Sequence, residues 1–413
     1  METFTLLNGL KVHLAPDPSC DTVIAQIAFR VGSNCDGKNS GIAHFLEHLV
    51  LDGTTGFPSN LDLDNLVETL GAQKNGFTSK EDTRYFCEGN PKDLETFLLY
   101  LAQITRHALL REEDIVKEIG VISKEIKRKW DNPFGHSKAQ LEKMLFPECS
   151  YGSPVLGTEE SLANIAQDML RYFMLKHYTA SNAVLLIEGN FDPDIAVKLV
   201  KKFYSSWRSG SQVPISQARV IMESQQTWET RKGLAQSHVH VVYPGYSKTD
   251  PRHYALLIIG NILGGGMSSR LFLKLRKQNT LIYSLNGLMD ITATYGYWGT
   301  GTGVDHESLP VVLAAIRDEL DRLQEEMIAQ EDIEKVQNRL LVQRAISSQR
   351  MEQRTSRKTK ELLLMGDIIS FSDYSSFVRG VTAEDALNAA QEIFSGPEQL
   401  FVLSPHEEEY LLR

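Results

Sequence analysis

No apolar run in this chain approaches the ~20 residues that a membrane-crossing helix requires, which argues against a membrane partner. Nor does a charged and apolar leader precede the first strand-like stretch, so a cytoplasmic setting is the expectation. Cysteine is scarce. Cys20, Cys35, Cys87 and Cys149 have no metal-type spacing, and a reduced compartment is the simpler reading than a disulfide framework. Positive charge is also in deficit: the net charge of −10 argues against nucleic acid and suits neutral or basic peptides, though solubility alone would also account for it. A phosphate-binding loop is missing, because the three glycines at 264–266 lack both a following Lys-Ser/Thr and dinucleotide spacing. What remains is an ordinary globular composition over 413 residues, enough for two domains of about 200 residues each.

Most of the histidines are scattered. His238 and His240 alternate on one face of a strand-like stretch, but without a third ligand they read as structural. The exception is the run HFLEH at residues 44 to 48. On a helix, His44 and His48 project from one face and can share a metal ion. Glu47 reaches the same side and can act as general base toward water activated there, while Phe45 and Leu46 turn toward a core. A companion lies downstream. Ile115, Ile119, Ile122 and Ile126 recur at helical spacing, and on that helix Glu118 and Glu125 stand two turns apart, facing nearly the same way. Alone, such a pair reads as a solvated charged face. With the histidine motif upstream, it reads as a carboxylate ligand, Glu125, and an acceptor for a ligand imidazole N–H, Glu118.

These features resemble the pitrilysin-type inverzincin metallopeptidases, relatives of insulin-degrading enzyme and the mitochondrial processing peptidases. The resemblance rests on the inverted motif, the 76 residues between His48 and Glu125, and the extra Glu seven residues before Glu125. It extends to LLNGLKVHLAPDPS, KNGFTSKEDTRYF, YGSPVLGTEESL and LGGGMSSRLFLKLRKQNTLIYSL, in the family's order. It implies one Zn²⁺ per chain on His44, His48 and Glu125, with Glu47 as base. It also implies that Arg276 and Tyr283 meet the substrate, and that Asn75, Gly76 and Phe77 lie on an edge strand that pairs with a peptide backbone. Gly76 stands where the family usually has Ala. Lys277 and Thr280 stand where Glu and Gly are common.

The halves read as a diverged repeat. Aligning Asp114 with Asp332 sets Val336 opposite Glu118 and Gln343 opposite Glu125, so the second half repeats the helix without its carboxylates. A polar stretch at 209–226 reads as a linker between a zinc domain, 1–208, and a domain without metal, 227–413. Strand-like stretches grouped between helical ones predict an α+β class with antiparallel-rich sheets. The family's fold, two similar α/β-roll domains flanked by helices, fits this. The resulting expectation is a zinc endopeptidase acting on short or unfolded peptides in a closed chamber. Because this chain keeps both the zinc motif and the Arg–Tyr pair, a homodimer is expected, a heterodimer being the other possibility. The competing reading is a non-catalytic subunit that binds and presents peptides; such members typically lose a zinc ligand or the base, and none is lost here.

Overall fold

The computed structural model describes residues 2–147, 149–214, 218–221 and 223–407, so the stretch read as a linker lies partly outside the described residues, at 215–217 and 222. The chain forms two compact units, each built on one sheet.

The first sheet contains β1 (Glu2–Thr5), β2 (Lys11–Pro16), β3 (Val23–Phe29), β4 (Gln73–Thr78), β5 (Thr83–Gly89) and β6 (Ala183–Gly189), in the order β1-β2-β6-β3-β5-β4. All neighbours are antiparallel except β2 and β6. VIAQIAF and AVLLIEG, the central strands β3 and β6, are buried along their whole length, as continuous apolar runs in the middle of a covered sheet should be. β4, QKNGFT, is an edge strand with its residues alternating between exposed and more sheltered. The second sheet contains β7 (Gln225–Thr230), β8 (Ser237–Gly245), β9 (Asn286–Ile291), β10 (Gly296–Val304) and β11 (Gln399–Ser404), ordered β7-β11-β8-β10-β9, with only β7 and β11 parallel. The architecture is mixed α and β with mostly antiparallel sheets flanked by helices, as the sequence predicts.

The repeat is visible in the helices. A twenty-residue helix, Glu112–Asp131, has a twenty-residue counterpart, Gln330–Gln349, displaced by 218 positions at both ends. Each long helix is followed by a second helix, Pro133–Leu145 in the first half and Met351–Leu364 in the second, whose starts differ by the same 218. Asn132 precedes a proline, which disfavours helical backbone, and its side chain accepts from the N–H groups of Phe134 and Gly135, so one helix ends and the next begins there.

These following helices are exchanged between the halves. The first unit comprises the described residues within 1–127, 153–216 and 346–369, and the second those within 128–152, 217–345 and 370–413. Two contiguous domains, 1–208 and 227–413, therefore do not describe the compact units. The physical reason is where each exchanged helix finds cover. Leu141 and Leu145 are buried in a cluster with Val242, Tyr295, Phe401 and Leu403, all of the second sheet or its turns. The Met351–Leu364 helix packs on β3 and β6. There Arg354 Nε and Lys358 Nζ stand 2.7 and 2.6 Å from Glu188 Oε1, and Thr355 Oγ1 donates to Glu188 Oε2 at 2.9 Å.

Candidate metal centre

The helix carrying HFLEH, Ile42–Leu49, has to begin abruptly. Gly41, just before it, has φ +92°, and a Cβ there would sit 2.8 Å from the Leu156 carbonyl oxygen. Only glycine meets both conditions. The helix N-terminus is satisfied from a distance: Asp36 Oδ2 accepts the Gly41 N–H at 2.7 Å and Oδ1 the Ala43 N–H at 3.2 Å. Burial pushes the Asp36 carboxyl up to about 8, against these two donors, which favour the anion. Phe45 and Leu46 are wholly buried in the core and anchor the helix by its apolar face.

The opposite face is the polar one. The imidazoles of His44 and His48 lie with ring centroids 4.7 Å apart. Glu125, from the Glu112–Asp131 helix, brings Oε2 to 3.9 Å from His44 Nε2. One donor atom from each of His44, His48 and Glu125 lies within 4.8 Å of the others, and this is the one such group among the described residues. Two imidazoles and one carboxylate form the donor set of an open zinc site, leaving a coordination position for a small ligand. His48 Nδ1 stands 3.1 Å from Glu118 Oε2, which leaves Nε2 as the atom to coordinate. Burial works to lower the His48 pKa, but the Glu118 hydrogen bond and the charges of Glu47, Glu118 and Glu125 outweigh it and raise it. Protons therefore compete with a metal here on the acid side. Behind Glu118, buried Asp52 is pushed up to about 6 by burial and then by the charge of Glu118, and Lys117 lies 3.6 Å from it.

Glu47 is buried beside this group. Its Oε2 accepts the Thr78 hydroxyl at 2.7 Å, and burial raises its pKa, so it holds a proton more readily than an exposed glutamate. Thr78 was not singled out in the sequence, although it stands two residues after Gly76 on β4, where side chains two apart share a face. Asp36 was missed as well, since a cap five residues before Gly41 follows no local spacing rule.

On β4, Gly76 and Thr78 face Glu47, and a Cβ on Gly76 would lie 2.7 Å from Glu47 Oε1. Asn75 and Phe77 alternate to the other side and are exposed, with the Arg84 guanidinium 4.8 Å from the Phe77 ring centroid. The three residues grouped in the sequence thus occupy two faces. Arg276 and Tyr283 belong to the second unit, where the structure brings them together, the guanidinium 5.5 Å from the Tyr283 ring centroid. Tyr283 is 80% exposed. Thr280, where the family commonly has Gly, takes a left-handed φ of 54°. His240 fits its structural reading: it is buried against Phe134, and burial pushes it down to about 3.

Residues 11–159 match the insulinase family, peptidase family M16, and residues 164–340 match the peptidase M16 inactive domain. The metal-type group thus lies wholly within the first match. An uncharacterized zinc protease of Streptomyces coelicolor is 28% identical over 410 residues, covering 97% of this chain and 89% of the relative. The uncharacterized zinc protease YmxG of Bacillus subtilis is 28% identical over 416 residues, covering 98% of each. The crystal structure of a protease from Helicobacter pylori superposes with a TM-score of 0.91 at 21% identity, covering 98% of this chain and 99% of that one, a likeness of fold. No described helix is long and apolar enough to cross a membrane. The chain belongs to the insulinase family, peptidase family M16, as a small two-domain member of the pitrilysin type.

Proposed function

We propose that this chain is a zinc-dependent endopeptidase that hydrolyses peptide bonds in short or unfolded peptides within a closed chamber. The observation that carries the reading is the convergence of His44, His48 and Glu125 on one point with buried Glu47 beside them. A bound zinc ion would supply Lewis acidity, polarising the scissile carbonyl and making water a better nucleophile. The protein's own groups do the rest. Glu118 fixes the His48 ring through Nδ1. Glu47 takes a proton from the attacking water and passes it to the leaving amine, so the carboxylate ends the cycle as it began. Its raised pKa suits both transfers. Arg276 and Tyr283 hold the substrate carbonyl and donate to the developing oxyanion.

The test combines metal analysis with digestion. Purified protein should hold about one zinc per chain, following the ligand count of an open catalytic site. A peptide mixture read by mass spectrometry should be cleaved, with cleavage lost to a chelator and restored by zinc. Stoichiometric zinc in a His48→Ala protein, or cleavage indifferent to chelation, overturns the assignment. The proposed assembly is a homodimer in which Arg276 and Tyr283 serve the partner copy's centre. Mixing Glu47→Gln and Tyr283→Phe proteins under subunit exchange should then restore part of the activity, and exchange without recovery contradicts that arrangement.

A further inference from the structure

We infer that the loop 153–157 sets the start of the metal helix, with Gly157 and Ser161 as positioning residues for His44. The inference rests on the reading of His44, His48 and Glu125 as zinc ligands. The loop belongs to YGSPVLGTEESL, a stretch that the proposed chemistry leaves unused. It crosses the helix start backbone to backbone, and all the residues concerned belong to the first unit. Gly157 takes φ +70°, and a Cβ there would lie 2.5 Å from the Ser40 carbonyl oxygen and 3.0 Å from Gly41 Cα. The contact is reciprocal: a Cβ on Gly41 would lie 2.9 Å from Gly157 Cα and 3.0 Å from its nitrogen. The atoms met on both sides are backbone, which has no side-chain rotamer by which to give way. Side chains hold the crossing closed. Ser161 Oγ accepts the Thr158 N–H at 2.8 Å and donates to the Ser40 carbonyl oxygen at 2.7 Å. Lys80 Nζ donates to the Ser153 carbonyl oxygen at 2.6 Å, fixing the other end of the loop.

The place of the crossing connects it to the metal site. The Gly41 carbonyl oxygen accepts the Phe45 N–H at 2.8 Å, so the first turn of the helix closes on the residue that Gly157 touches. His44 lies in that turn, whereas His48 stands one turn further on, with Nδ1 3.1 Å from Glu118 Oε2. A shift of the helix start therefore moves His44 against the other two groups. Ligand distances in a zinc site hold to within about 0.2 Å, so such a shift weakens the ion's hold. Gly157 and Ser161 act only through the backbone at 40–44, which makes them positioning residues.

The experiment uses the full chain and measures zinc affinity by competition with a chelator, together with thermal unfolding of the zinc-free protein. Gly71 supplies the control. Its φ of +69° nearly equals that of Gly157, but no described atom beyond its chain neighbours lies within 4 Å of its Cβ position. Gly71→Ala therefore adds the backbone strain without the collision. It should lower thermal stability and leave zinc affinity unchanged. Gly157→Ala should weaken zinc affinity by about 10–100-fold, the usual cost of disturbing what holds a ligand in place. Ser161→Ala loses one hydrogen bond and should weaken it by about 2–10-fold. Ser161→Thr keeps the hydroxyl and should bind zinc as the unaltered protein does. A crystal structure of zinc-free Gly157→Ala protein should show residues 41–44 displaced and His48 in place. If His44→Ala loses zinc while Gly157→Ala and Ser161→Ala bind it as tightly as Gly71→Ala, the positioning role is wrong and the metal assignment survives. A structure in which the loop retreats and His44 stays put overturns the inference as well. If His44→Ala keeps full affinity, the metal assignment has failed and the inference falls with it. Should Gly157→Ala fold poorly, the two Ser161 variants decide: equal zinc affinity in both overturns the inference.

Discussion

The helices Glu112–Asp131 and Gln330–Gln349 have the same length and the same place in the repeat, yet only the first carries Glu118 and Glu125. Their counterparts, Val336 and Gln343, are an apolar contact and an exposed amide: Val336 is buried in the second core and Gln343 faces solvent. The comparison separates scaffold from chemistry. Length, helix breaks and apolar spacing keep the fold, whereas two side chains on one helix face and two histidines on another make the difference between a metal-type centre and a packed surface. The exchanged helices give a second contrast. Pro133–Leu145 is covered by leucine and aromatic side chains, while Met351–Leu364 buries Met351 and Leu362 to Leu364 and adds charged contacts of Arg354 and Lys358 to Glu188.

The largest expected effect comes from making the first helix like the second. Glu125→Gln should leave zinc below detection by metal analysis, because three ligands leave no redundancy. Next is the charged helix seat. Glu188→Ala strands Arg354 and Lys358 half-sheltered beside an apolar sheet, and should cost about 3–5 kcal/mol in denaturant unfolding. Its apolar equivalent, Leu145→Ala, should cost about 2–5 kcal/mol through the cavity it leaves. Equal losses would mean that the two seats differ in chemistry but not in strength; an undisturbed Glu188→Ala protein would remove the contrast.

Much of this was legible in the sequence, for particular reasons. The grouping of His44, His48 and Glu125 could be read because these residues sit on helices, where spacing dictates direction: His44 and His48 four apart, Glu118 and Glu125 seven apart. The 218-residue repeat was legible from a single shared pattern around Asp114 and Asp332. The exchange of helices was not, because an amphipathic pattern states that Leu141 and Leu145 need cover but not which sheet supplies it. Thr78 and Asp36 were hidden for a similar reason. Their partners, Glu47 and the Gly41–Ala43 backbone, are reached through folding across loops rather than along one element.

Smaller effects sharpen the same comparison. Glu118→Val copies the second half at Val336 and should weaken zinc affinity by about 10–100-fold, measured by competition with a chelator, without abolishing binding. Each unit also buries a neutral histidine: burial pushes His177 down to about 4 and His240 down to about 3. Below the ordinary histidine pKa the unfolded chain binds protons that the folded one refuses, so these groups drain stability as pH falls from about 6.5 toward those values. His177→Leu should flatten that loss in thermal unfolding between neutral pH and pH about 4.5, set by the two pKa values. Smallest is Thr280→Gly. Relief of a left-handed φ, worth about 1–2 kcal/mol, set against the entropy of glycine at about 0.5–1 kcal/mol, should leave a gain of about 0–1.5 kcal/mol.

Glu47 is proposed as the proton acceptor beside a zinc site that His44, His48 and Glu125 would form. The most direct measurement is a paired one on Glu47→Gln protein: zinc per chain by elemental analysis, and turnover of a cleavable peptide at saturating zinc. The expected result is about one zinc per chain, as in the unaltered protein, with turnover reduced by at least about 10²–10⁴-fold, because the amide keeps the shape and cannot accept the proton. Turnover at the unaltered rate would contradict the account.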